Sequence, residues 1–186
     1  MNARYTFARV AILLLAGSTI LFGTSAPSAG QDAAPTAPGS EVILKATDIT
    51  AHLFPTTVFF RGQTASVQMD NVGGVRYGDG LLVLAGLVDS SGYASQIRAK
   101  YQAYLIAEVP MEIGGQTLKP GAYGFGFLDN NKFVVMDLGA NDVLKASSTH
   151  DADIHLPVPL QIVAGGSAGH YRLYHGRDYV EFHRVK

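Results

Sequence analysis

The sequence predicts an all-β protein: a single antiparallel β-sandwich domain over residues 41–186, with at most one short helix near residues 93–102. Three observations lead to this fold class. Short apolar runs punctuated by Gly, Pro and Asn follow one another from Glu41 onward. No alternation of strand and helix patterns occurs, and two segments have the composition of self-complementary hairpins.

The first 30 residues are predicted to be a secretory signal peptide. Residues 1–9 carry Arg4 and Arg9 and no acid, residues 10–22 are apolar, and small residues follow as far as Gly30. An uncleaved membrane anchor is the alternative, but about 13 apolar residues fall short of the roughly 20 that span a bilayer. We therefore expect an exported protein, periplasmic or associated with the cell surface, with no stable membrane span after cleavage.

Residues 31–40 are rich in Pro and Ala and are predicted to be a flexible tether before the folded domain. The chain contains no cysteine, so an exported domain would have to be stable through its core alone. Removal of residues 1–30 would take away two arginines and no acid, which changes the formal net charge from −1 to −3. Because the sequence has no basic run, nucleic acid is not an expected partner.

The first predicted elements of the domain are a hairpin and a buried strand. The hairpin joins residues 57–60 to residues 65–69 through Arg61-Gly62-Gln63-Thr64. Residues 81–88 are continuously apolar, which is typical of a strand buried on both faces. Periodicity alone does not separate such a run from a buried helical turn, so both interpretations stay open at this point.

A short helix and an alternating strand come next. Ile97 and Tyr101 lie at helical spacing, which favours the helix over residues 93–102. Residues 103–113 then alternate between two faces and predict one strand. Since Pro110 has no backbone donor, this strand should lie at a sheet edge or contain a bulge there.

The middle of the domain contains the first self-complementary hairpin. A two-residue turn at Asn130-Asn131 would join two strands that are apolar on both faces, which predicts a central pair covered on each side. The polar residues 145–153 are predicted to form a loop. The expected cross-strand pairs are Asp129 with Lys132, Leu128 with Phe133, Phe127 with Val134, and Phe125 with Met136.

The chain ends in a second hairpin that determines its own register. Gly176, followed by Arg177, supplies the positive φ of a two-residue turn. One face of the hairpin is then apolar, and the other is a ladder of aromatic, opposite-charge and imidazole pairs. The predicted pairs are Leu173 with Val180 and Tyr171 with Phe182 on the apolar face, and Tyr174 with Tyr179, Arg172 with Glu181, and His170 with His183 on the wet face.

The histidines suggest a metal site as one candidate chemistry. Imidazole and carboxylate groups are good ligands for zinc or another divalent ion, and such a site could serve a metal-binding protein or a metal-dependent hydrolase. A set of solvated polar side chains is the alternative, because the sequence has no His-Glu-x-x-His motif. The candidate ligands are His150, Asp151, Asp153, His155, His170 and His183.

Residues 165–169 match the Gly-x-Ser-x-Gly pattern of a nucleophile elbow around Ser167. That chemistry needs a strand before the serine and a helix after it, above a parallel sheet. Here a β-hairpin follows within two residues, so we interpret the segment as a Gly-rich connection. No catalytic residues are predicted.

The wet face of the terminal hairpin is the candidate binding surface. Tyr and Arg are enriched where proteins recognise one another, and Arg172, Tyr174, Tyr179 and Glu181 should share this face. The alternative is that another sheet edge or loop covers it. The surface predicts a non-catalytic binding or assembly module, without a cofactor, whose partner is a protein or another component of the cell envelope.

The segment Gly-Gln-Thr-Leu-Lys-Pro-Gly-Ala-Tyr-Gly, residues 115–124, carries a family resemblance. It resembles the Gly-x-x-Leu-x-Ala-Gly-x-Tyr-Gly segment of a family of exported bacterial β-sandwich proteins of unknown function, with Pro120 where that family has Ala. The resemblance covers residues 103–136 and, more loosely, residues 171–185, but not residues 41–92. It implies an exported bacterial β-sandwich and brings no catalytic residues.

Overall fold

The structure is a computed structural model that describes residues 39–185, which fall within one compact unit. The predicted signal peptide, residues 1–30, and most of the predicted tether lie outside the described residues. Strands are β1 Val42–Leu44, β2 Thr57–Phe60, β3 Gln63–Arg76, β4 Leu82–Val88, β5 Ala103–Ala107, β6 Met111–Ile113, β7 Gln116–Leu118, β8 Gly121–Leu128, β9 Lys132–Met136, β10 Asp142–Ser147, β11 Thr149–His150, β12 Leu160–Ala164, β13 His170–His175 and β14 Asp178–Arg184. The helical elements are a 3₁₀ turn at Ala46–Asp48 and α1 at Ser95–Arg98.

The strands form two antiparallel sheets, which confirms the predicted all-β sandwich. The large sheet has the strand order β1-β3-β4-β5-β8-β9-β10, with β2 paired to β3. The small sheet has the order β12-β13-β14-β6-β7, with β11 paired to β14. The described residues thus place the last two strands of the chain in the middle of the small sheet.

Two hydrophobic clusters hold the sheets in place. The first lies between the large and small sheets and includes Leu105, Phe125, Phe133 and Phe182. The second covers the opposite face of the large sheet, where β2, the first part of β3 and the segment around α1 pack against it. Because the large sheet is covered on both faces, β4 is a continuous apolar strand, and this decides between the two interpretations of residues 81–88.

The hairpin predicted around Gly62 is present but tighter than expected. Phe60 pairs with Gln63, so only Arg61 and Gly62 form the turn, and both have positive φ. The predicted helix is also shorter, four residues from Ser95 to Arg98. It serves mainly to bring Tyr101 back into the second cluster.

The prediction of one strand over residues 103–113 is wrong, because these residues belong to both sheets. β5 lies in the large sheet and β6 in the small sheet, with residues 108–110 crossing between them. Pro110 lies at the crossing, where its carbonyl accepts a hydrogen bond from the Val185 amide at 3.0 Å. The expected alternation of burial persists through the crossing, since Val109 and Met111 are both buried.

The β8–β9 hairpin is central as predicted, but its register differs by one residue. Leu128 pairs with Lys132 and Gly126 with Val134, so the loop has three residues instead of two. Asn130 and Asn131 both have positive φ, with values of 61° and 54°. Hydrophobic patterning could not select the register because both faces are apolar.

The predicted loop at residues 145–153 is mostly strand. β10 is an edge strand of the large sheet, and its exposed Lys145 and Ser147 give this part of the segment the composition of a loop. The chain then crosses to the small sheet, where Thr149 pairs with Tyr179 and His150 with Asp178. This crossing places residues 149–151 beside the terminal hairpin.

Candidate functional site

The terminal hairpin has the predicted pairing at every position. Leu173 pairs with Val180, and Arg172 with Glu181. Gly176 has a φ of 62°, as its place at the first central position of the turn requires. The apolar side chains enter the core between the sheets, so the alternate side chains face outward.

We call the outward surface of β13, β14, β6 and β11 the terminal face. Strand pairing arranges it in rows, because residues that oppose each other across a sheet share a face. Glu112, His183 and His170 form one row, and Glu181 and Arg172 form the next. The face is defined by Glu112, Thr149, His170, Arg172, Tyr179, Glu181 and His183.

Hydrogen bonds, the Arg172–Glu181 ion pair and stacked rings fix the side chains at the open end of the hairpin. The rings of His170 and His183 stack with centroids 4.5 Å apart and planes inclined by 25°. Glu181 lies between two neighbours on β13: one carboxylate oxygen is 3.2 Å from Nδ1 of His170, and the other is 3.5 Å from Nε of Arg172. These pairs are partly exposed, so they orient the side chains more than they stabilise the fold.

An aromatic stack continues the face towards the turn. The Arg172 guanidinium lies 4.7 Å from the centroid of the Tyr179 ring, and that ring lies 4.9 Å from the ring of Tyr174. A guanidinium over an aromatic ring is attracted to its negative face. The stack therefore holds Arg172 flat against the sheet beside Glu181.

Tyr174 is not exposed, which corrects one part of the predicted binding surface. Only 1% of the residue is accessible, and its hydroxyl donates to Oδ2 of Asp151 at 2.9 Å. Burial, together with this hydrogen bond, raises the pKa of Tyr174. The covering residues come from the segment that the sequence predicted as a loop, so the surface left for a partner is Arg172, Tyr179 and Glu181.

A groove of about 380 Å³ lies on the terminal face. Two carboxylates, those of Glu112 and Glu181, line it together with the imidazoles of His170 and His183, and Ser147, Thr149 and Tyr179 also line it. No Lys or Arg side chain lines it among the described residues. Sequence reasoning missed Glu112 and Thr149 as members of this site because β6–β14 and β11–β14 pairings join distant parts of the chain.

The six predicted metal ligands do not converge, which corrects the second predicted site. Nδ1 of His150 lies 2.8 Å from Oδ1 of Asp178, at the beginning of β14. His183 is five residues further along the same strand, which separates it from Asp178 by about 17 Å. Asp151 holds Tyr174, Asp153 donates its amide to Asp151, and His155 is exposed in the following loop. Within residues 39–185, no group of three or more His, Asp or Glu side chains is placed to hold a metal ion.

The Gly-x-Ser-x-Gly segment is a connection between two antiparallel strands. The Gly165 amide donates to the His170 carbonyl at 2.8 Å, and the His170 amide donates to the Ser167 carbonyl at 3.1 Å. Strand β13 begins directly at His170, where a nucleophile elbow would require a helix. The geometry is therefore that of a turn.

Replacing Tyr174 with phenylalanine should lower the free energy of unfolding by about 1.5–3 kcal/mol, since it removes one hydrogen bond to a charged carboxylate. The measurement is urea unfolding of the purified protein. Tyr179→Phe is the matched control, because it removes the hydroxyl of the stacking partner without touching Asp151. Equal stability of the two variants would contradict the role of Asp151 in covering the face.

Comparison with known proteins leaves the site to be interpreted from its geometry. No protein-family model, no curated protein and no solved structure matches the chain. In the part of the chain that the structure describes, neither helical element has the length and apolar character needed to cross a membrane.

Proposed function

We propose that this chain is an exported, non-catalytic binding module of the cell envelope, and that its terminal face docks a basic segment of a protein partner. Export is inferred from the composition of residues 1–30, which carry two arginines followed by an apolar stretch and small residues. The partner's chemistry is inferred from the charge of the groove.

One observation carries the proposal: the groove on the terminal face is lined by two carboxylates, Glu112 and Glu181, and by the imidazoles of His170 and His183, with no Lys or Arg side chain among the described residues. A Lys or Arg side chain of a partner could pair with the Glu112 carboxylate, which makes no ion pair within residues 39–185, and would share Glu181 with His170 and Arg172. Charge-assisted hydrogen bonds of this kind are stronger than neutral ones. Hydroxyl groups of Ser147 and Thr149 add acceptors at the same place.

The groove is also held in a fixed arrangement before any partner binds. Glu181 is kept in place by His170 and Arg172, and Arg172 is kept in place by the Tyr179 ring. Binding to such a surface loses little side-chain freedom, which favours affinity. Tyr179 and Arg172 at the groove rim are residue types that often dominate interface energies.

The proposal is tested by charge reversal at Glu181. The tagged full-length protein is expressed in its native host, and proteins captured from the solubilised envelope are quantified for the wild type and for Glu181→Lys. We expect the wild type to capture one or a few proteins that have a basic exposed segment. The amount captured by Glu181→Lys should be lower by at least about tenfold.

Asp70→Lys is the matched control, since Asp70 is an exposed carboxylate of β3 outside the terminal face. It makes the same change in net charge, and it should retain wild-type capture. The proposal would be overturned if Glu181→Lys captured as much protein as the wild type. It would also be overturned if Asp70→Lys abolished capture to the same extent as Glu181→Lys.

A further inference from the structure

A second groove, of about 560 Å³, lies on the large sheet at strands β8, β9 and β10. We call it the basic groove. Three lysines line it, Lys100, Lys132 and Lys145, together with one acid, Asp142. It meets the groove of the terminal face at Gly114 and Ser147, which line both.

Strand pairing explains why apolar and basic side chains meet in this groove. Leu128, Lys132 and Ser147 oppose one another across β8, β9 and β10, and so share one face. Val134 and Lys145 form the neighbouring row on the same face, beside Gly126. Leu128, which is partly exposed, therefore supplies the apolar floor next to the buried Val134, and the lysines stand at its rim.

The Lys100 segment forms one wall of the groove. The Lys100 carbonyl lies so close above Gly126 that a Cβ on that glycine would be 2.2 Å from the oxygen. From there the Lys100 side chain reaches Asp142, with Nζ 3.0 Å from each carboxylate oxygen. The wall is thus fixed at both ends, by close backbone packing and by an ion pair.

The groove carries an excess of positive charge. Asp142 is shared between Lys100 and Lys145, both at 3.0 Å, and Lys132 has no carboxylate within 4.0 Å in residues 39–185. Three cations and one anion leave a local charge of +2 in a chain whose formal net charge is −1. Burial acts to raise the pKa of Asp142, but hydrogen bonds from Lys145 and Lys100 outweigh it and lower that pKa.

We propose that the basic groove binds a small amphipathic anion: a molecule with one carboxylate head and a single apolar chain. The head would lie between Lys132 and Lys145, and the chain would cover Leu128. The volume is in the range of ordinary small-molecule sites, about 300–1,000 Å³. This inference goes beyond the proposed function, because it concerns a ligand of opposite charge on different side chains.

Calorimetric titration of the full-length protein with decanoate at pH 7.5 tests the inference. We expect saturable binding of decanoate and none of decyltrimethylammonium. Decanol, which keeps the chain and loses the charge, should bind at least about tenfold more weakly, and so should acetate, which keeps the charge and loses the chain.

Two substitutions should change decanoate affinity in opposite directions. Lys132→Gln should weaken binding by about tenfold, and since Lys132 has no ion pair in the described residues, its loss should leave stability unchanged. Asp142→Asn should tighten binding severalfold, because it releases Lys100 and Lys145 for the ligand. Lys119→Gln, at an exposed lysine outside the groove, is the control and should have no effect.

Four outcomes would overturn the inference. The first is that millimolar decanoate shows no saturable binding, and the second is that decanol and decanoate bind with equal affinity. The third is that Lys132→Gln and Lys119→Gln change decanoate affinity equally. The fourth is that the protein binds phosphatidylglycerol vesicles but does not bind decanoate below its micellar concentration. The last outcome would identify a charged lipid surface as the ligand instead of a single amphiphile. Circular dichroism of each variant confirms that the fold is retained.

Discussion

Replacing Phe60 with alanine is expected to lower the free energy of unfolding by about 3–5 kcal/mol, which is the usual cost of removing a buried Phe side chain. Phe60 is fully buried in the second cluster, at 0% exposure. Its ring stacks on Tyr101 with centroids 3.9 Å apart and contacts the Tyr93 ring edge-on at 6.2 Å. The cavity would open beside Gly124, which has no side chain to fill it.

The neighbouring residue supplies the control for this prediction. Phe59 lies on the same strand with the same side chain, but it faces outward and is 53% exposed. We expect Phe59→Ala to change the free energy of unfolding by less than about 0.5 kcal/mol. Urea unfolding measures both variants, and similar losses for the two would show that β2 does not cover the large sheet.

Replacing Gly126 with alanine is expected to cost about 3 kcal/mol, at the upper end of the usual penalty for overpacking. The new Cβ would lie 2.2 Å from the Lys100 carbonyl oxygen and 3.0 Å from its carbon. Backbone cannot rotate away as a side chain can. The adjacent Gln102 also ties this segment to β8, because its side chain exchanges two hydrogen bonds of 2.9 Å with the backbone of Phe127.

Gly166→Ala is the control for Gly126→Ala. A Cβ at Gly166 would meet no atom within 4 Å, and Gly166 is not among the glycines with positive φ. We expect that variant to stay within about 0.5 kcal/mol of the wild type. If thermal and urea unfolding of Gly126→Ala also matched the wild type, the close approach of the Lys100 backbone to β8 would be contradicted.

The two hairpins show which parts of the fold could be predicted from sequence. In the terminal hairpin, Gly176 fixes the turn and the Arg172–Glu181 and Leu173–Val180 pairs agree with it, so local information determines the register. In the β8–β9 hairpin both faces are apolar. A shift of the pairing register by one residue would therefore still place apolar side chains against apolar neighbours. The registers are distinguished by close packing that no local pattern reveals: Phe60 and Tyr101 of the second cluster lie against Gly124, and the Lys100 backbone lies against Gly126.

The candidate site was predictable in part for the same reason. The positions of Arg172, Tyr179 and Glu181 follow from the local hairpin. The burial of Tyr174 and the presence of Glu112 depend on strands that pair with β14 from elsewhere in the chain, and those pairings are not encoded in the hairpin. The predicted metal ligands lie apart because the β11–β14 pairing places His150 beside Asp178, at the beginning of β14, whereas His183 lies near the end of that strand.

Site-specific photo-crosslinking in living cells tests the central claim most directly. A benzoylphenylalanine residue is placed at Tyr179, on the terminal face, or at Phe59, an exposed aromatic of β2 in the other sheet. The proposed docking predicts a discrete crosslinked adduct from position 179 that disappears when Glu181→Lys is added, and no adduct from position 59. An adduct of equal yield from position 59, or none from position 179, would contradict recognition through the terminal face.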